Sequence, residues 1–496
     1  MSRKLTLALI PALFLALAPL AQGDQLFYAA PGQQEGQVTL HATDSATGEV
    51  TELIALMQAK AIGWSPNGRY FSFLQFDPPD DDTAPKRLFA YDCVNAQALN
   101  ISARGHDVAG FWWADTSEAM VYLQPRPAGP EGAFDVYVHD MTHGSEARRV
   151  NGDLPAAGAA VVFSADGRYC AFAVADPGKP GQVAIADATA GEAWVASADL
   201  RVRGHQWSLA GTKLALHAGE NDAERLTLHV ADAESRSLTP ISSESESVEG
   251  FSWRPGSTDM AYMISAVGVI GGTEEGEEPL RFKRVLLKMA SAVTGDTRRV
   301  SNVSNATRFN WAPDGSYYAV SDMAVDPLSG VAQPSIKVGS FDAPMRMPQL
   351  VQSSSGSTIF AWSPDSAALA FMLGELLYKY SPAEQKSSVV VDSLTVRDMV
   401  WSPDSRHVAI MTPYEGGGIV VWNVDTEAGV GRIISHAFRT AGMVDWSPTG
   451  SSMLLYMPTS ADVGLLNLLD PHGDPESIVQ VAEDAITVTW YPKSLP

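Results

Sequence analysis

Cysteine is nearly absent: the chain has 2 in 496 residues, Cys93 and Cys170. Two cannot build a disulfide framework or a thiolate zinc centre. Charge is sparse, at 18% of residues, and bases are the scarcer sign. There are 34 Lys+Arg against 57 Asp+Glu, a net charge of −23. That excludes wholesale nucleic-acid binding, which needs a basic surface. No segment carries the long 3.6-residue apolar period of an amphipathic helix. Beyond residue 20 no apolar run is long enough to span a bilayer. The G-x-S-x-G, H-E-x-x-H and P-loop motifs are missing. Apolar residues are plentiful, at 45%, which supports a large core and rules out a disordered chain.

The opening residues read as an address. Arg3 and Lys4 precede the apolar run from Leu5 to Leu20, and Ala21-Gln22-Gly23 offers the small residues a signal peptidase reads. The expectation is a signal peptide over residues 1–23 and a mature chain starting at Asp24. Such a protein is periplasmic or secreted and has no stable membrane span after cleavage. An uncleaved N-terminal anchor is the alternative. Loss of Arg3 and Lys4 leaves 32 bases against 57 acids, a charge of −25.

The tryptophans set a register. Anchors fall at Trp64, Trp113, Phe163, Trp207, Trp253, Trp311, Trp362, Trp401, Trp446 and Trp490, so nine of the 12 tryptophans hold one repeat position. Their spacing, 39 to 58 residues, is that of a propeller blade. Proline stands two residues after the anchor in seven of the ten units. It presets φ for a turn, as in Trp64-Ser65-Pro66-Asn67-Gly68 and Trp446-Ser447-Pro448-Thr449-Gly450. Trp362-Ser363-Pro364-Asp365-Ser366 and Trp401-Ser402-Pro403-Asp404-Ser405 are the same turn without glycine.

The strand after the turn alternates. Seven and nine residues past the first nine anchors, all 18 positions are apolar, from Phe71 and Phe73 to Met453 and Leu455. Period two means a strand. Between them alanine recurs six times: Ala171, Ala215, Ala261, Ala319, Ala370 and Ala409. Small residues there imply a crowded place where neighbouring sheets approach closely. Third strands follow, as at Leu88–Tyr91, Asp135–His139, Val183–Asp187, Leu226–Ala231 and Ile419–Asn423. Each unit then carries a polar turn and a fourth strand.

The ends are complementary. The last unit stops after its first strand at Trp490. The segments Gln25–Ala29, Gln37–His41 and Glu49–Leu53 read as second, third and fourth strands. Shared between both termini, they complete one blade and remove a sheet edge. The expected fold is all-β: a β-propeller of about ten four-stranded blades over residues 24–496, in one ring closed by N- and C-terminal strands. Two smaller rings are the alternative, since rings usually have four to eight blades.

The run W-S-P-D/N-G followed by an alternating strand resembles the WD40-like (PD40) repeat of the TolB-like propeller family. The units Trp64–Phe73, Trp311–Val320, Trp362–Phe371, Trp401–Ile410 and Trp446–Leu455 carry the resemblance. The family includes periplasmic parts of the Tol–Pal envelope system and the propellers of prolyl-oligopeptidase-type enzymes. TolB itself places an α/β domain ahead of six blades, whereas strands here begin near residue 25. TolB's partners, Pal and TolA, are therefore not carried over.

Candidate chemistry is thin. Two residues before the anchor, nine units are apolar and the tenth is His205. Arg203, Arg308 and Arg397 precede their anchors on strands that line the central channel, where they could gather an anion. Pairing with acids such as Glu249, Asp398 or Asp484 is the competing outcome. Asp77, Asp80, Asp81 and Asp82 share a loop without the Asp spacing or glycine of a calcium loop, so they read as solvated acids. His139 and His143 read as turn histidines. Cys93 and Cys170 fall in different blades and read as separate buried thiols. No cofactor, metal or catalytic residue is expected. Long connections near 77–86, 124–133, 264–282 and 322–334 all join second to third strands and emerge on one face. The 264–282 loop carries an apolar tip, Val267-Gly268-Val269-Ile270. The functional expectation is an exported non-enzymatic propeller binding a protein or envelope polymer through those loops. The alternatives are a ligand or enzyme site in the channel, or an inactive relative of peptidase propellers.

Overall fold

The computed structural model describes residues 24–491. Excepted are positions 80, 145, 159, 220–224, 271–279, 301–302, 304, 326–331, 343–348, 353–358, 393–394, 440–441 and 461. The expected signal peptide lies outside the described residues. No helix among the described residues is long and apolar enough to cross a membrane.

The fold is ten antiparallel sheets arranged as one propeller ring. Blade 1 is built from both ends: Thr487–Tyr491 is its innermost strand, followed by Gln25–Pro31, Gln37–Asp44 and Val50–Met57. Leu26 pairs with Trp490 and Gln25 with Tyr491, the closure foreseen from the termini. Blades 2 to 10 then follow in chain order, each running first to fourth strand outward from the channel. The third strand of blade 4, Val183–Asp187, has the bounds read from the sequence, and that of blade 9 runs two residues longer, Ile419–Asp425. Blade 3 adds a short strand, Ala156–Ala157, beside its third.

Every one of the 18 apolar positions after the anchors is buried, none more than 3% exposed. The residues between them are buried as well, because each second strand is sandwiched between two neighbouring blades. That explains the alanines. Ala171, Ala215, Ala261, Ala319, Ala370 and Ala409 each share a core cluster with the anchor of the next blade: Trp207, Trp253, Trp311, Trp362, Trp401 and Trp446. In the same six interfaces the indole N–H donates to a main-chain carbonyl of the previous blade. The acceptors are Val162, Gln206, Ser252, Asn310, Ala361 and Val400, at 3.0 to 3.5 Å. The acceptor is always the residue just before the previous anchor. In the register it pairs directly with the alanine, as Gln206 does with Ala215.

Where the alanine is replaced, this bond is lost. Phe27 holds the position in blade 1 and stacks on Trp64 at 6.2 Å; the Trp64 indole nitrogen is buried without a partner among the described residues. Leu454 holds it in blade 10, and the Trp490 nitrogen likewise has no partner among the described residues. Ser72 holds it in blade 2, and the Trp113 indole takes the serine hydroxyl instead, at 3.0 Å. The ring thus has an arc of stapled interfaces from blade 4 to blade 10 and an unstapled arc around the closure.

A paired substitution tests this. Trp401→Phe removes a made hydrogen bond, whereas Trp490→Phe removes an N–H that has none. Both leave a similar gap. The Trp401 variant should therefore be the less stable by about 1–2 kcal/mol, read as a lower thermal midpoint.

The anchor turns follow side-chain chemistry. The serine after the anchor accepts from the main-chain N–H five residues on, as in Ser65–Tyr70 at 2.9 Å and Ser363–Ala368 at 2.9 Å. Its own hydroxyl donates to Asn67 or Asp365 two residues ahead. The next residue has positive φ, +75° at Gly68. A side chain there would also strike the Trp490 carbonyl of blade 1, so this glycine is doubly required. In the glycine-free turns Ser366 and Ser405 take the same left-handed conformation. Their hydroxyls accept from the Asp314 and Asp365 amides of the preceding blades, at 3.0 and 3.1 Å. The strain is thereby offset by a bond between blades.

Two expected loops are largely strand. The second and third strands of blade 6 run Asp259–Ile270 and Leu280–Ser291, paired through Ile270–Leu280. Those of blade 7 run Tyr317–Val325 and Ala332–Ser340. The 264–282 and 322–334 segments are therefore hairpin arms on adjacent blades. Their β-branched residues, among them Val267, Val269 and Ile270, favour a pleated ribbon over a loop. The acidic stretch 274–278 lies outside the described residues.

Candidate functional site

First strands wall the channel, and in blades 5, 6 and 7 they carry a bulge at one repeat position. The register shifts between Val202 and Gly204, Val248 and Gly250, and Ala306 and Arg308. The extra residues are Arg203, Glu249 and Thr307, each four before its anchor. A bulge re-aims a side chain out of the ladder. Arg203 is exposed there. Glu249 is bound instead to the arm of blade 6. It pairs with Lys283 at 2.9 Å and accepts from the Ser265 hydroxyl, and those two bonds hold its carboxyl below the usual range. Thr307 donates to the Ser321 hydroxyl at 3.0 Å.

Arg308 is exposed and lies over the Phe360 ring of blade 8, 5.0 Å from its centroid. Arg397 is exposed, and its main-chain N–H bonds Met411 at 2.9 Å. His205 is largely enclosed, and burial holds its imidazole below the usual histidine range. Its Nε2 is buried with no hydrogen-bond partner among the described residues. Arg203 and His205 share the inner strand of blade 5, whereas Arg308 and Arg397 stand on blades 7 and 9. Arg203, Arg308 and Arg397 thus stand on three separate blades. The bulge at Glu249 was the feature sequence reading missed, since a bulge leaves no mark in an apolar period.

Other candidates resolve as structure. Asp77 pairs with Arg87 at 2.9 Å, and Asp81 accepts from the Thr83 hydroxyl at 2.6 Å. His139 is buried, not in an exposed turn as expected; His143 is exposed and bonds Asp140 at 2.8 Å. Cys93 and Cys170 are free, buried and in different blades, and burial pushes the Cys170 thiol up to about 12. No group of three or more His, Cys, Asp or Glu suited to a metal occurs among the described residues.

Grooves between blades open on the turn face. One between blades 3 and 4 measures about 770 Å³ and is lined by Asp140, His143, Arg148 and Arg168. Another, about 560 Å³, lies between blades 9 and 10 around His407 and His472. On the opposite face a cavity of about 470 Å³ sits between blades 3 and 4, with Pro130, Pro155 and Lys179 in its wall.

No protein-family model matches the chain, and no curated protein sequence does. Solved structures do. A eukaryotic initiation factor is 12% identical with TM-score 0.54, over 96% of this chain and 100% of that one. Dipeptidyl peptidase 4 of Porphyromonas gingivalis is 12% identical with TM-score 0.46, over 86% of this chain and 59% of that one. TolB of Acinetobacter baumannii is 15% identical with TM-score 0.30, over 76% and 83%. The first likeness shows a shared fold, which does not carry function with it.

Proposed function

We propose that this chain is an exported, non-enzymatic propeller that binds a protein or envelope polymer through the arms of blades 6 and 7 and the connections beside them. The observation that carries this reading is the extension of two neighbouring hairpins past their blades. In blade 6 the first strand pairs no further than Ser265, and the fourth begins opposite Ala290 and ends at Lys288. The ribbon beyond is two-stranded. Its edges offer main-chain donors and acceptors that a partner strand can pair with. Val267, 67% exposed, adds apolar surface at its base. The Lys283–Glu249 pair links the ribbon to the inner strand of its own blade. The turn and strand pattern supports a TolB-type PD40 repeat, and residues 1–23 support export to the periplasm or beyond.

The test replaces residues 268–282 by Asn-Gly, a turn that closes a hairpin. The blade below should stay folded. Affinity capture with residues 24–496 from the envelope fraction of the source cells should retain a partner that the shortened protein loses. Equal capture by both proteins, or repeated failure of both, overturns the reading.

A second reading is favoured by the unpaired His205 Nε2 beside the exposed Arg203. It puts a small anion in the channel at blade 5. Calorimetry with inorganic phosphate should then give a binding signal that Arg203→Ala abolishes.

A further inference from the structure

The groove between blades 9 and 10 lies on the turn face, opposite the arms, and nothing above uses it. Its volume, about 560 Å³, falls within the range of small-ligand pockets, about 300–1,000 Å³. Asn423, on the third strand of blade 9, lines it and is only 5% exposed. Its Nδ2 donates to the Pro471 carbonyl of blade 10 at 2.8 Å. That bond fixes the amide, because flipping it would set oxygen against oxygen. The Oδ1 is left buried with no donor among the described residues. A buried acceptor without a donor is costly and calls for a partner.

The rest of the wall is polar on both signs. Arg406 forks onto Asp425, at 2.9 and 3.2 Å. Asp404 accepts from the Arg406 amide with one oxygen, while the other stands 3.6 Å from His407 Nδ1. His407 Nε2 is 3.8 Å from Asp425. Both separations exceed a hydrogen bond, so the ring nitrogens are near charge without being committed to it. His472 packs edge-on against His407, with centroids 5.6 Å apart. Arg432 reaches the Pro471 carbonyl with one N–H at 3.4 Å and keeps its other donors.

Two carboxylates face two guanidiniums, so the groove has no net sign to favour an anion or a cation. It offers donors and acceptors side by side. A hydroxyl does both at once, and vicinal hydroxyls match planar Asn, Asp, Arg and His groups. The exposed His472 ring and Val430 give an apolar patch for a C–H face. We propose that the blade 9–10 groove binds a neutral saccharide unit, with Asn423 Oδ1 and Asp404 accepting its hydroxyl protons and Arg432 and the histidines donating. This does not rest on the arm reading.

The test uses residues 24–496 and three neutral probes: methyl glucoside, methyl galactoside and N-acetylglucosamine. Inorganic phosphate and ethylamine serve as charged controls. Calorimetry and thermal shift should show at least one neutral sugar binding at up to tens of millimolar, with neither control competing. Loss of one hydrogen-bonding group should weaken it about 10-fold in Asn423→Ser and in His472→Ala. His472 is exposed, so its variant folds even if Asn423→Ser does not. The arm-shortened protein should bind the sugar as wild type does, which separates this proposal from the arm reading. Absence of binding by all three sugars overturns it, as does binding of phosphate or ethylamine alone, or sugar binding unchanged in His472→Ala.

Discussion

Replacing Ala370 by leucine is expected to destabilise the ring by about 2–6 kcal/mol. Two costs combine. Ala370 stands between its own blade and the Trp401 indole, in a core with no room for three more carbons. Overpacking of that kind costs about 1–3 kcal/mol. The added bulk also displaces the indole from the Ala361 carbonyl, now 3.0 Å away. A buried N–H left without a partner costs about 1–3 kcal/mol more. Blade 10 already shows the outcome. It carries Leu454 at this position, and the Trp490 N–H has no partner among the described residues. Thermal unfolding followed by near-ultraviolet circular dichroism measures the effect. A midpoint within a degree of wild type would show that the alanine is not what admits the bond.

Asp322→Ala should cost a comparable amount, about 3–5 kcal/mol, because it breaks a buried ion pair from one side. Asp322 is 0% exposed. Its carboxylate takes Lys337 Nζ at 2.5 Å and the Asn305 amide at 2.6 Å. Lys337 is itself buried, so its ammonium depends on charged and polar protein groups rather than on bulk solvent. Lys337→Met combined with Asp322→Ala should recover much of the loss, since the pair exceeds its members in cost only when broken. Denaturant melts of the two single variants and the double variant give the coupling. If the double variant is no better than Asp322→Ala, the ion pair is not the cause.

The repeat was legible because a buried two-sided strand leaves a strong mark. Phe71, Tyr262 and Phe371 sit at fixed distances from a tryptophan that few other positions tolerate. The closure was legible for the same reason, since Gln25–Pro31 carries a continuous apolar, buried run like the other second strands. The alanines foretold close packing but not the hydrogen bond they admit, because the acceptor is main chain and carries no residue signature. Asp322 read as part of a polar connection. Its burial follows from pairing with a lysine 15 positions on, which no local pattern encodes. The groove was invisible for a related reason: Asn423 and His472 lie on different blades and meet only after the ring closes. The channel arginines were found by their offset from the anchors, but that offset is blind to a bulge, so Glu249 read as a partner for the arginines when it pairs with Lys283 of the arm.

The direction of the indole bonds bears on how the ring is made. Each stapled tryptophan reaches back to a carbonyl in the blade before it, never forward. On a ribosome that acceptor has already emerged when its donor arrives, so from blade 5 onward each new blade can dock on a finished neighbour. Trp64 is in the opposite position. The main chain that would receive its indole belongs to Thr487–Tyr491, which is synthesised hundreds of residues later. Blade 2 must therefore be content with a stacked Phe27, and its joint with blade 1 is sealed by side-chain packing where those from blade 4 to blade 10 also carry an indole bond.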